Sequence, residues 1–147
     1  MPTFISTLCT ILLLITSGPV EAQMPGIELS VGIYRIEVEV AANQANRMQG
    51  LMQRHGMPAN QGMLFVFDQA DRHCMWMRNT FLPLSVAFLD EEGRIINIEN
   101  MKPQTETNHC ATSPAHFALE MNLGWFSSKG IKPGQRIIGT KKSPRPH

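Results

Sequence analysis

The chain has 147 residues, 13 basic and 12 acidic side chains, and a formal net charge of +1 at pH 7. This length suits one domain, and the near-neutral charge, without clustered Lys and Arg, gives no sign of a nucleic-acid partner. The sequence has no glycine-rich phosphate loop and no G-x-S-x-G, H-E-x-x-H or C-x-x-C motif. These absences remove the usual sequence arguments for nucleotide binding, a serine hydrolase, a zinc protease or a thioredoxin-like exchanger, and we expect no cofactor.

Residues 1–22 have the features of a cleaved secretory signal peptide. An uncharged apolar run, "FISTLCTILLLITSG", precedes "PVEAQ", where Val20 and Ala22 occupy the two positions that a signal peptidase reads. The run is about 14 residues long, shorter than the ~20 that a membrane-spanning helix needs. We predict cleavage near Ala22/Gln23, a periplasmic or secreted protein, and no stable membrane span after cleavage. Because "MPT" carries no Lys or Arg, an uncleaved membrane anchor is the alternative.

The predicted chain after cleavage begins with a leader over residues 23–30. Next, "YRIEVEVA" alternates apolar and charged residues, the pattern of a strand with one solvent-facing side. "NQANRMQGLMQR" predicts a helix that is capped by Asn43 and carries Met48, Leu51 and Met52 on one stripe. "GMLFVF" is continuously apolar, which is typical of a buried strand.

The second half of the chain is richer in strands. "FLPLSVAFLD" and "GRIINIEN" flank the turn "DEEG" and predict a hairpin. "HFALEMN" predicts a strand, "LGWFSSKG" one helical turn that ends at Gly130, and "KPGQRIIG" a turn into a last strand. We therefore expect a single, mainly β (α+β) domain over residues 31–140, a small sandwich or barrel-like sheet of about seven short strands with one short helix packed on it. Residues 141–147 are expected to form a flexible basic tail.

Two His-Cys pairs stand out, in "RHCMWMRNT" and in the long polar segment "MKPQTETNHCATSPA". In an exported chain the two remaining cysteines, Cys74 and Cys110, favour one disulfide. The bond would close a ring of about 37 residues and stabilise the fold by roughly 3–4 kcal/mol in the chain-entropy model. Two reduced cysteines or a redox-active pair are the alternatives.

A soft-metal site is the alternative use of the same segment. Thioether, imidazole and thiolate groups suit copper(I), and Met75, Met77, His109 and Cys110 could supply them. If "HCMWMRN" is a strand, however, His73 and Cys74 point to opposite faces and cannot easily share one ion. The first expectation is therefore no metal, and periplasmic copper binding is the second hypothesis.

The polar run that follows the cysteine is a candidate ligand site. Trp76 offers an apolar platform, Arg78 a fork of donors, and Asn79 and Thr80 further polar groups. The disulfide would hold His109 near them. The local interpretation is that Asn79 and Thr80 satisfy a turn and that Arg78 covers Trp76 or pairs with a carboxylate.

Other residues enter as possible neighbours of that run. Trp125 and Glu120 are candidates, and a third hypothesis is a cell-envelope hydrolase with Glu120 or His109 as the acid or base. No recognisable catalytic spacing supports it, so no catalytic residue is assigned.

Several stretches resemble one uncharacterised bacterial and archaeal family, domain of unknown function 192 (uncharacterised protein family 0127). They are "GLMQR", "GMLFVF", "CMWMRNTFLPLSVAFLDEEGRIINI" and "PAHFALEMNLGWFSSKGIKPGQRI". The resemblance runs from about Ile33 to Ile138, and its specific core is Trp76, Met77, Arg78, Asn79, Thr80, Pro83 and Leu84. It implies a compact β-rich fold with a short helix, often behind a signal peptide, and no established activity. The family pattern often has an aromatic residue where Cys74 stands, which fits a disulfide in this chain better than a family-wide metal site.

The sequence thus predicts an exported binding or accessory module. Its expected partner is a small polar ligand such as a sugar, a peptide or a carboxylate.

Overall fold

The computed structural model describes residues 1–2 and 23–147, so the predicted signal peptide lies almost entirely outside the described residues. Within the described ranges no helix is long and apolar enough to cross a membrane. The expected β-rich class is confirmed. The strands are β1 (Gly26–Val31), β2 (Tyr34–Ala41), β3 (Gln61–Asp71), β4 (Cys74–Met75), β5 (Leu84–Leu89), β6 (Ile95–Met101), β7 (His109–Cys110) and β8 (Ala115–Asn122). The helices are α1 (Gln44–Gln49), α2 (Trp125–Ser128) and a 3₁₀ turn at Thr140–Lys142.

Six strands form one open sheet in the order β1-β2-β3-β8-β5-β6, and β4 and β7 form a separate two-stranded ribbon. Only the β2–β3 pair is parallel in the six-stranded sheet, and β8 lies in its interior. The predicted sandwich does not form, since the second sheet has strands of two residues. The sheet is open, and the predicted last strand makes two isolated bridges in place of a continuous ladder, Ser30 with Ile138 and Arg94 with Arg136.

The leader prediction was wrong from Gly26 onward. Residues 26–31 form β1, which pairs with β2 along its whole length from Gly26–Glu39 to Val31–Tyr34. Leu29 and Val31 are buried while Glu28 and Ser30 are not, so the segment has the alternating pattern of a strand. The preceding Pro-Gly pair obscured this short alternation.

The predicted first helix and its cap are confirmed, but the helix is short. The Asn43 side chain accepts a hydrogen bond from the backbone nitrogen of Asn46 at 2.8 Å. The helix ends at Gly50, whose φ of 49° is left-handed. Its predicted stripe therefore breaks up, and Leu51 is buried while Met48 is exposed.

The two faces of the sheet carry separate cores. On one face, here called the Trp125 face, Leu64, Leu119 and Met121 pack with Trp125 and Phe126 of α2. The opposite face, here called the Glu120 face, carries alternate residues of the same strands and is covered by Met77 and Leu82. Its sheet residues include Met63, Phe65, Val86, Phe88, Ala118 and, between Ala118 and Asn122, Glu120.

The basic tail lies against the domain at two points. The Lys141 ammonium group is 3.3 Å from the Glu92 carboxylate, and the backbone nitrogen of His147 donates to the carbonyl of Ala42 at 3.1 Å. Its flexibility stays a prediction.

Candidate functional site

A cavity of about 830 Å³ lies on the Glu120 face. Phe65 and Phe67 of β3 line it together with Glu120 of β8. One wall is α1 with the following turn 50–52, and the other is the segment 73–80, except Met77. Its volume is within the range of about 300–1,000 Å³ that small-molecule sites occupy. We call this space the Glu120 cavity.

Arg47 fixes the helical wall to the sheet. Its guanidinium donates to the carbonyls of Ala42 at 2.6 Å and Val66 at 3.0 Å, and to the Asp68 carboxylate at 2.9 Å. Three acceptors from separate positions of the chain engage three of the five N–H donors of this cation. The wall is thus held by a fork of hydrogen bonds that a six-residue helix could not provide by itself.

The predicted disulfide is confirmed and shapes the opposite wall. Cys74 and Cys110 are directly paired across the β4–β7 ribbon, with Cα atoms 4.0 Å apart and a bond between their sulfurs. Farther along, the backbone nitrogen of Met77 donates to Thr105 at 2.9 Å, and that of Gln104 donates to Thr80 at 3.1 Å. The long polar segment is therefore tied to the cavity wall.

The polar run after Trp76 forms a turn, as the local interpretation stated. The Thr80 nitrogen donates to the Met77 carbonyl at 3.1 Å, and Asn79 has a left-handed φ of 53°, which Asn tolerates better than most residues. The Thr80 hydroxyl donates to the Arg78 carbonyl at 3.1 Å. The Asn79 carbonyl accepts from the Gln53 nitrogen at 2.9 Å, which joins the two walls of the cavity.

Arg78 has both of its predicted local contacts. Its guanidinium carbon lies 5.6 Å from the centroid of the Trp76 ring, and its Nε is 3.5 Å from a carboxylate oxygen of Glu106. The Trp76 side chain is 44% exposed at the mouth of the cavity. One cation therefore already rests on an aromatic face at this site.

Glu120 is the unusual group of the site. It is 3% exposed, and its cross-strand neighbours on β3 and β5 are Met63 and Val86, both fully buried. Burial alone raises the pKa of its carboxyl group to about 8, so the group is largely protonated at pH 7. In the described residues no hydrogen-bond donor or cation meets this carboxyl group. Since no fully enclosed polar side-chain atom there lacks a partner, the carboxyl oxygens reach the cavity.

Four of the five predicted ligand residues line this cavity, namely Trp76, Arg78, Asn79 and Thr80. The fifth, His109, pairs with Met75 in the β4–β7 ribbon but is not part of the cavity lining. Of the two suggested neighbours, Glu120 is present and Trp125 belongs to the other face of the sheet.

The alternative copper ligands are not assembled as an ion would need them. The Cys110 sulfur is bonded to Cys74 and offers no thiolate, and Met77 is fully buried outside the cavity lining. Among the residues that the structure describes, no cluster of three or more His, Cys, Asp and Glu side chains could hold a metal ion.

Sequence reasoning missed several residues of the site. His73 stacks on Phe67 with ring centroids 3.7 Å apart, and its Nε2 is 2.8 Å from the Gln69 carbonyl. Arg47 and Phe65 were also overlooked. Glu120 was suggested as a neighbour, but its burial was not predicted, although it is the only charge in the apolar stretch "FALEM".

Comparisons with known proteins place the chain beside uncharacterised relatives. A family model of DUF192, described as "Uncharacterized ACR", matches residues 27–139. No curated protein matches the chain. A crystal structure from Sinorhizobium meliloti 1021, described as a candidate transcription regulator, has 34% identity and a TM-score of 0.78 and covers 81% of this chain and 97% of its own. A protein of unknown function from Novosphingobium aromaticivorans DSM 12444 has 33% identity and a TM-score of 0.74, covering 83% of this chain and 90% of its own.

Proposed function

This chain belongs to the DUF192 family, and from that starting point we propose that it is an exported binding module whose small ligand occupies the Glu120 cavity. The observation that carries the proposal is the buried carboxyl group of Glu120, which has no partner among the described residues and faces a cavity of ligand size. Burying a polar group without a hydrogen bond destabilises a fold by about 1–3 kcal/mol. A residue that serves packing alone would be apolar at this position.

The cavity lining supports an amphipathic ligand. Phe65, Phe67 and Trp76 provide aromatic surface, while Glu120 and Asn79 provide polar groups. A few polar groups set in an apolar pocket are the usual composition of a small-molecule site, where the apolar walls supply affinity and the polar groups orient the ligand.

Binding is favoured over hydrolysis. The hydrolase hypothesis used Glu120 or His109 as the acid or base, and His109 lies outside the cavity lining. A carboxyl group with a raised pKa can act as an acid, but catalysis also requires a partner group at hydrogen-bond distance from the reacting atom.

Export is the second part of the proposal. The Cys74–Cys110 disulfide supports it, because structural disulfides persist mainly in oxidising compartments such as the periplasm. N-terminal sequencing of the protein from a periplasmic extract should read Gln23 first. A first residue of Met1 on membrane-bound protein would contradict cleavage and favour the anchor.

A fluorescence screen tests the binding function. Trp76 lies at the mouth of the cavity and Trp125 is buried on the other face of the sheet, so a ligand should change the emission of Trp76 alone. Small amphipathic molecules would be screened by fluorescence and thermal shift, with Trp76→Phe as the matched variant. Binders should alter the wild-type emission, raise its melting temperature, and leave the emission of Trp76→Phe unchanged. A library of sugars, peptides, acids and amines that gives no response would contradict the proposal.

A further inference from the structure

We propose that the ligand is a small organic cation, an alkyl or arylalkyl amine whose ammonium group pairs with Glu120. This inference rests on the proposed binding function and narrows its ligand class. It starts from Glu120, whose carboxyl oxygens have no partner among the described residues, so a ligand that donates a hydrogen bond to them completes the site. Amines, amides and alcohols all do so, and the charges around the cavity distinguish between them.

The cations at the cavity are already paired. Arg47 is held by two carbonyls and Asp68, and Arg78 by Glu106 and the Trp76 ring. No lysine belongs to the described lining of the cavity. An anionic ligand would therefore have to compete with the acceptors that hold Arg47 and Arg78, and its negative charge would oppose the ionisation of Glu120. A cationic ligand avoids both costs.

The remaining ionisable groups of the lining do not oppose a cation. Asp68 and Asp71 are acidic, and the His73 ring stacks on Phe67 with its Nε2 against the Gln69 carbonyl. Aromatic faces and the thioether of Met52 also suit the carbon atoms beside an ammonium group, which carry part of its positive charge.

Pairing with an amine requires Glu120 to lose its proton. The protonated acid and the ammonium ion give a carboxylate–ammonium pair, and one proton passes to the solvent. With a carboxyl pKa of about 8, binding at pH 7 should release about nine-tenths of a proton per ligand. Affinity should rise nearly tenfold per pH unit below that pKa, because protons compete with the ligand cation.

Three probes of one shape test the inference by isothermal titration: 2-phenylethylamine, 2-phenylethanol and phenylacetate. Titrations in phosphate and in Tris at pH 7 measure the released proton, since the two buffers differ in ionisation enthalpy. The amine should bind at least tenfold more tightly than the alcohol at pH 8, and phenylacetate should bind most weakly. Glu120→Gln should lose the preference for the amine, whereas Glu91→Gln, the same change at an exposed turn outside the cavity, should keep it.

The possible failures are distinguishable. Equal affinity of amine and alcohol, or amine binding without proton release by the wild type, would overturn the cationic ligand and leave the binding function intact. If neutral or anionic molecules alone bind, with a signal that depends on Trp76, the cationic ligand is likewise overturned and the binding function is kept. No response to any class of ligand would overturn both proposals. The proton count uses the wild type, so the test does not depend on the folding of Glu120→Gln.

Discussion

The two faces of the six-stranded sheet each enclose a large residue with a polar group, and they treat it differently. On the Trp125 face, the indole nitrogen of Trp125 donates to the Asn60 side chain at 3.1 Å. On the Glu120 face, the carboxyl group of Glu120 reaches a cavity and receives no donor from the described chain. The Trp125 face is a core whose polar group is hydrogen-bonded. The Glu120 face has a cavity and a carboxyl group without a donor, and such a loss of stability is usual at a binding site.

The largest expected loss of stability comes from a substitution in the core of the Trp125 face. Leu119 is fully buried on β8, beside Glu120 in sequence but on the opposite side. Leu119→Ala should lower the free energy of unfolding by about 2–5 kcal/mol, through lost apolar burial and the cavity left behind. Urea denaturation measures it, and a loss below about 1 kcal/mol would show that this face is not the tightly packed core.

Removing the disulfide should be nearly as costly. The double variant Cys74→Ser with Cys110→Ser should lose about 3–4 kcal/mol, because the unfolded chain regains the freedom of the closed loop. It should also weaken ligand binding, since the ribbon forms a wall of the cavity. Equal unfolding midpoints for the variant and the wild type would contradict a structural role for the bond.

Glu120→Gln should raise the free energy of unfolding, unlike the two preceding substitutions. The carboxyl pKa is about 8 in the folded state against 4.5 for a glutamate in water, so the folded protein keeps a proton that the unfolded chain has lost. The buried carboxyl group therefore lowers the free energy of unfolding. This loss of stability is absent below pH 4.5, grows as pH rises to about 8, and is on the order of 3 kcal/mol at pH 7.

Measuring unfolding free energies from pH 5 to pH 8 tests the sign. The wild type should lose stability relative to Glu120→Gln as pH rises, whereas Glu91→Gln should follow the wild type. Parallel curves for the wild type and Glu120→Gln would exclude a raised pKa.

The smallest effect is expected at the mouth of the cavity. Arg78→Ala should change the free energy of unfolding by less than about 1 kcal/mol, because its ion pair with Glu106 is solvent-exposed. It would also free the face of the Trp76 ring, so affinity for 2-phenylethylamine should increase about two- to fivefold. Weaker binding of the amine would instead assign Arg78 to the ligand, as the sequence first suggested.

Local signals explain what the sequence could predict. Asn43 caps its helix, and Asp90 accepts from the nitrogens of Glu92 and Arg94 at 2.9 Å in the expected hairpin turn. The cysteines of the two His-Cys pairs face each other across the ribbon. Each of these features depends on a few neighbouring residues or on the chemistry of two cysteines.

The burial of Glu120 and the position of His109 could not be predicted, because they depend on contacts between residues far apart in the sequence. In "AHFALEMN", His116, Ala118 and Glu120 share one side, which reads as the solvent-facing side of a strand. Glu120 is buried because β8 is an interior strand and the segments 44–52 and 73–80 cover it. His109 was misplaced for the same reason, since the path of a polar loop cannot be read from its composition.

The segment that follows Pro133-Gly134 bears on how the protein behaves at high concentration. Ile138 exchanges two backbone hydrogen bonds with Ser30 on the edge strand β1, at 2.7 and 3.0 Å, and the Gln135 carbonyl accepts from Ile95 at the start of β6. These contacts occupy backbone groups at both margins of the sheet, where a second chain could otherwise add a strand. Self-association by strand addition should therefore be disfavoured.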